Sequence, residues 1–112
     1  MTYFQFQAYL DEARQYHELG AFQGDIGYGP DVPYDGDGWQ RVTEVIFAAA
    51  HGDVGAIVGE MSARSFAMKY NLPGRSVQNW IAGERSAPEY VLELLAYAVI
   101  GDVPFEEPET AM

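Results

Sequence analysis

Few residues of this 112-residue chain bring the functional groups of catalysis into a usable arrangement. There is no cysteine, which removes thiol nucleophiles, thiolate metal sites and disulfides together. The two histidines, His17 and His51, have no carboxylate or second histidine at a convincing helical ligand spacing, and His17, beside Glu18, reads as a helix-end residue. Asp35-Gly36-Asp37-Gly38 has the outline of a calcium loop. A register from Asp35, however, puts Trp39 where a third oxygen ligand is wanted and Ile46 where the closing glutamate belongs, so a turn plus an N-cap is expected instead. No serine or threonine sits in a nucleophile elbow, and there is no Gly-x-x-x-x-Gly-Lys phosphate loop. The expectation is a non-enzymatic protein with no catalytic residues, no metal and no cofactor.

Composition bounds the remaining classes. The length is that of one domain, and apolar residues at 48% with aromatics at 14% suffice for a core, so residues 1–112 are expected to fold as a single domain. Only 6 Lys and Arg stand against 17 Asp and Glu, a formal charge of -11 that, taken whole, opposes nucleic acid and anionic membranes. The first residues, MTYFQFQAYLDE, lack the pattern of a secretory signal, and the longest apolar run, Leu94 to Ile100, is too short to span a bilayer. A cytoplasmic protein without a membrane partner is expected.

Hydrophobic periodicity predicts an all-α fold of about five or six helices. Thr2 and Gln5 have capping-box spacing, and Tyr3, Phe6, Leu10, Ala13 and His17 form one face of a helix from about Tyr3 to Leu19. From Gly20 to Gly38 there are six glycines, two prolines and four aspartates in nineteen residues, a density of breakers that predicts a loop. Residues 1–38 thus read as an N-terminal helix plus a Gly/Asp/Pro-rich loop. A second helix, capped by Asp37, carries Val42, Val45, Ile46 and Ala49 and ends near His51-Gly52. Asp53 caps a short segment in which Gly55 and Gly59, four apart, are expected to let another helix approach. Residues 101–112 read as an acidic flexible tail.

Within the expected core of residues 39–100, Ser62 to Ser86 has the layout of a helix-turn-helix. Ser62 caps a first helix with Ala63, Phe66, Ala67 and Tyr70; a turn follows at Asn71; a second helix runs from about Arg75 to Ala82 and closes at Gly83. Ala67 lies where the helices cross and must be small. Asn71 stands at the position needing positive φ, where asparagine is second only to glycine. Phe66, Tyr70, Leu72, Val77 and Trp80 supply the apolar contacts that set the interhelical angle. Pro88 opens a last helix to Ile100, where its missing N–H costs nothing.

Residues 62–100 resemble the Cro/C1-type (XRE-like) helix-turn-helix domains of phages and prophages. The string that carries the likeness is Pro73-Gly74-Arg75-Ser76-Val77-Gln78-Asn79-Trp80-Ile81-Ala82-Gly83-Glu84-Arg85, followed by Ala87-Pro88-Glu89-Tyr90-Val91. The resemblance implies sequence-specific binding of double-stranded DNA through residues 62–86, usually as a homodimer, for transcriptional control. It also implies that Arg75, Ser76, Gln78 and Asn79 face the bases, that Arg85 reaches a phosphate, and that Arg64 and Lys69 touch the backbone. The chemistry agrees, since Arg bridges guanine O6 and N7 while Gln or Asn bridges adenine N6 and N7. Two positions depart from the family: Ala63 stands where Gln is usual, and Ile81 replaces a polar residue after the tryptophan.

The charges divide along the chain in the same way. Ser62–Ser86 has four bases against one acid, a local +3; Met1–Met61 has two bases and ten acids, -8; Ala87–Met112 has six acids and no base, -6. A basic motif on the reading face is the footprint of a DNA binder, and at a screening length of about 8 Å the acids elsewhere need not cancel it. The acidic flanks suggest an alternative: a small phage-encoded inhibitor, similar to anti-CRISPR proteins, that mimics nucleic-acid charge and binds a basic protein partner.

Overall fold

The first helix opens as the sequence predicts: the Thr2 hydroxyl accepts from the Gln5 N–H at 3.1 Å, and the Gln5 side-chain oxygen accepts from the Thr2 N–H at 2.9 Å. The computed structural model describes residues 1–28 and 32–105. Among the described residues there are seven helices and no strand: α1 (Tyr3–Ala13), α2 (Leu19–Ile26), α3 (Gly36–Ala50), α4 (Val54–Val58), α5 (Ala63–Lys69), α6 (Gly74–Ala82) and α7 (Glu89–Gly101). The all-α class is therefore right and the count of five or six is low. No helix among these residues is long and apolar enough to cross a membrane.

The extra helix lies where a loop is expected. α1 stops at Ala13, short of Leu19, because Ala13 already meets the end of α3: its carbonyl oxygen is 3.2 Å from His51 Nε2. A straight continuation would leave the apolar surface behind. The chain turns at Arg14–Glu18 and forms α2, whose Phe22 is wholly buried against Tyr16 and Phe47. Gly20 and Gly24 on this helix have nothing within 4 Å of where a Cβ would stand. They lie toward solvent, so each costs about 1 kcal/mol of helix propensity, and a buried Phe contributes about 1.5–3 kcal/mol in return. Burial wins over the count of breakers.

α3 is the centre of the packing. Its N-cap is Asp35, not Asp37; the Asp35 carboxylate accepts from the Gly38 N–H at 2.6 Å, and Asp37 sits in the first turn, where negative charge is favoured. Trp39, Val42, Thr43, Val45, Ile46, Ala48 and Ala49 are all buried, and α1, α2, α4 and α7 pack around them. Thr43 resolves its burial by donating to Gln40 O at 2.8 Å and accepting from Gln23 of α2 at 2.9 Å.

The glycine pair at Gly55 and Gly59 does not admit a neighbouring helix. Gly59 ends α4 at φ +67, and a Cβ there would lie 3.0 Å from the Arg41 guanidinium. That guanidinium, sent across from α3, donates to the carbonyls of Ala56 at 2.8 Å and Ile57 at 2.6 Å. Asp53 caps the other end of α4 as expected, accepting from the Ala56 N–H at 3.1 Å.

The acidic tail also begins later than the composition suggests. α7 includes Gly101, Val103 donates back to Ile100, and the Phe105 ring stacks on buried Tyr34 with centroids 5.2 Å apart. The rest of the tail, residues 106–112, lies outside the described residues, as do 29–31 of the glycine-rich loop. If α2 is core and not loop, Phe22→Ala should lower unfolding free energy by about 3–5 kcal/mol in a denaturant titration, whereas a loop aromatic would cost under about 1 kcal/mol.

Candidate nucleic-acid interface

α5 and α6 form the helix-turn-helix pair, and the joint between them follows from local chemistry. Ser62 caps α5 through its hydroxyl, which accepts from the Ser65 N–H at 3.0 Å. At the other end Asn71 takes φ 55, the one non-glycine among the described residues with positive φ. Its left-handed turn lets Leu72 N–H reach the Ala67 carbonyl at 2.8 Å, with Asn71 N–H on Met68 O at 3.4 Å, the paired bonds of a Schellman cap. α6 closes in the same manner, with Gly83 at φ 78 and Glu84 N–H on the Asn79 carbonyl at 3.0 Å.

The pair is wedged by Phe66, Ala67 and Val77, all buried, with Tyr70, Leu72 and Trp80 half-buried around them. These are the residues the spacing assigns to the interhelical core. α6 also packs on α4, so it is held from two sides.

Between the outer faces of α5 and α6 runs a cleft of about 410 Å³ lined by Arg64, Ala67, Met68, Leu72, Gly74, Arg75 and Gln78. Three of the expected contact residues, Arg64, Arg75 and Gln78, therefore share one concave surface. Met68, 74% exposed, stands with them and was not foreseen; its position one turn after Arg64 is the signal that could have found it. Ser76 and Asn79 are half-buried and do not line the cleft, while Arg85 is exposed beyond the end of α6. Ile81 is exposed as well.

Lys69 is placed differently from the arginines. Its ammonium lies 3.3 Å from Asp102 Oδ2 and 5.5 Å from the centre of the Tyr70 ring, and it lines a separate cavity of about 440 Å³ bounded by α3, α4, α5 and the end of α7. The Tyr70 hydroxyl donates to the same carboxylate at 2.6 Å. That hydrogen bond, with the ammonium beside it, holds the Asp102 carboxyl below its ordinary value. Burial and the same bond push Tyr70 up.

The remaining cations sort cleanly. Arg14 bridges Asp11, Glu89 and Glu93 at 2.9–3.0 Å, and Arg41 is taken up by the carbonyls of α4. Arg64, Arg75 and Arg85 have no acidic partner among the described residues, and all three belong to Ser62–Ser86. Set against models of known protein families, curated proteins and solved structures, the chain matches none.

Because the Asp102 carboxyl is depressed when folded, the clasp stabilises the fold above the ordinary aspartate value of 3.8 and loses that effect as pH falls through the lower folded value. Asp102→Asn should therefore lower the melting temperature at neutral pH, and the gap from wild type should close as the pH is taken below that range.

Proposed function

We propose that the chain is a sequence-specific DNA-binding transcriptional regulator of the phage or mobile-element type, reading double-stranded DNA through α5 and α6. The observation that carries this reading is the division of the cations: Arg14 and Lys69 are ion-paired, Arg41 is spent on the carbonyls of α4, and the three arginines left with neither kind of partner among the described residues all lie on the helix-turn-helix. An arginine left exposed and unpaired on an otherwise acidic chain is available to an anion. Arg64 and Arg75 share a cleft with the amide of Gln78, so charge and base-reading donors converge on one surface.

The roles follow from position. Arg75, in the first turn of α6, and Gln78, one turn on, are the base readers, with guanine and adenine the matching partners. Arg64 and Arg85, on either side, fit phosphates. Lys69, held by Asp102, contributes little.

A second, protein-directed role is favoured by a specific feature of the flanks. Both cations outside the motif, Arg14 and Arg41, are consumed internally, so the surface there presents carboxylates without free bases. Such a surface suits a basic protein partner, as an acidic inhibitor would require.

Fluorescence anisotropy on duplexes from the region upstream of the chain's own gene, at low salt, tests the DNA reading. With three unpaired arginines the salt slope should be no steeper than about -3 per chain, at about -0.9 for each phosphate contact. Arg64→Ala should flatten that slope by about one and weaken all sequences alike, and Lys69→Ala should leave it unchanged. Arg75→Ala or Gln78→Ala should cost about 1–3 kcal/mol and relax discrimination at one base pair. Absence of binding to every fragment at low salt defeats the DNA reading and leaves the protein-directed one.

A further inference from the structure

The cavity bounded by α3, α4, α5 and the end of α7 differs in kind from the cleft between α5 and α6. At about 440 Å³ it falls in the range of small-molecule sites, about 300–1,000 Å³. The α5/α6 cleft is lined by bases without an acid; this cavity carries both signs, Arg41 and Lys69 against Glu44, Glu60 and Asp102. Between the charges it is apolar: half-buried Val103, Val99 at the end of α7 and Met61, 38% exposed, lie over the buried Ile57 and Phe66.

The charged groups on its wall are only partly spent. Lys69 and the Tyr70 hydroxyl meet the same Asp102 oxygen, Oδ2, at 3.3 and 2.6 Å, and the Arg41 guanidinium donates to the carbonyls of Ala56 and Ile57. An ammonium and a guanidinium have more N–H groups than those bonds use. On the acidic side, Glu44 accepts from Gln40 Nε2 at 3.3 Å, and neither Glu44 nor Glu60 has an ion-pair partner among the described residues. Burial pushes the Tyr70 hydroxyl up while the bond from Tyr70 holds Asp102 down, and opposed shifts of this kind gather at binding sites.

The mixture of charges selects the ligand. A purely anionic molecule, a phosphodiester included, would meet three carboxylates there, and a purely cationic one would meet Arg41 and Lys69. We propose that the cavity binds a free α-amino acid with an apolar side chain, its carboxylate on Lys69 and Arg41, its ammonium on Glu60 and Glu44, and its side chain against Met61, Val99 and Val103. This inference does not rest on the DNA reading.

Isothermal titration calorimetry of the full chain with L-leucine tests it, using three analogues that each lose one feature. Leucinamide lacks the carboxylate and N-acetyl-leucine lacks the ammonium; each should bind about ten- to hundredfold more weakly than leucine, the worth of a charge-assisted hydrogen bond. L-serine, with both charges and no apolar body, should bind more weakly as well. Glu60→Gln should weaken leucine about tenfold and leave N-acetyl-leucine, which has no ammonium to lose, unaffected. Lys69→Gln should likewise weaken leucine and spare leucinamide. A merely structural role for either residue would weaken every ligand alike. Both substitutions are at exposed positions outside the core, and circular dichroism melts confirm that the variants stay folded. Arg75→Ala, in the other cleft, should bind leucine like wild type. Absence of leucine binding at millimolar concentration, leucinamide or N-acetyl-leucine binding as tightly as leucine, or indifference of leucine to both substitutions overturns the inference.

Discussion

The buried residues of α3 occupy more than half of its circumference, from Ala48 round through Val45, Ala49, Val42, Ile46 and Trp39 to Thr43. No single partner can cover such a surface, because the stripe by which a helix ordinarily faces its core is about 100° wide, less than half of the span occupied here. The rest of the chain is arranged to meet that demand. α1 and α7 close one side, α2 is drawn in through Phe22, and α4 is tied on by Arg41. Each wholly buried aliphatic or aromatic side chain contributes about 1.5–3 kcal/mol, which is enough to impose helical structure on sequence that local propensity would leave irregular.

Where propensity and burial agree, the sequence was legible. Thr2, Asp53 and Ser62 cap the helices they precede, Asn71 takes the left-handed conformation its turn requires, and Gly83 and Pro88 mark the end of α6 and the start of α7. Those signals reach only a few residues along the chain, so they can be read in one dimension. Apart from the N-cap of α3, which lies two residues before the expected Asp37, the misreadings have a long-range cause. α2 exists because Phe22 finds Phe47, and α1 ends early because Ala13 meets His51. Gly59 is required by the Arg41 guanidinium, not by a passing helix. None of these partners lies within a helical turn in sequence.

The candidate site divides the same way. A local count of charge found the basic segment, since four of the six cations fall within it. It did not distinguish the lysine from the arginines, because the carboxylate that occupies Lys69 belongs to Asp102, 33 positions further on. Nor could it show that Arg64 and Arg75, on separate helices, open onto one cleft with Gln78. Periodicity places a residue on a face of its own helix; the crossing of two helices decides which faces meet.

The seating of α6 on two supports has a mechanical consequence. One support is the turn at Asn71 with Val77 buried behind it, and the other is α4, itself anchored to α3 by the Arg41 side chain. A helix fixed at two points cannot rock to follow an irregular groove. On the proposed reading the accommodation then falls to the duplex, and a stiff reader favours sites whose uncontacted steps bend or twist at little cost, such as pyrimidine–purine steps. Part of the chain's discrimination would then reside in base pairs that none of its side chains touches.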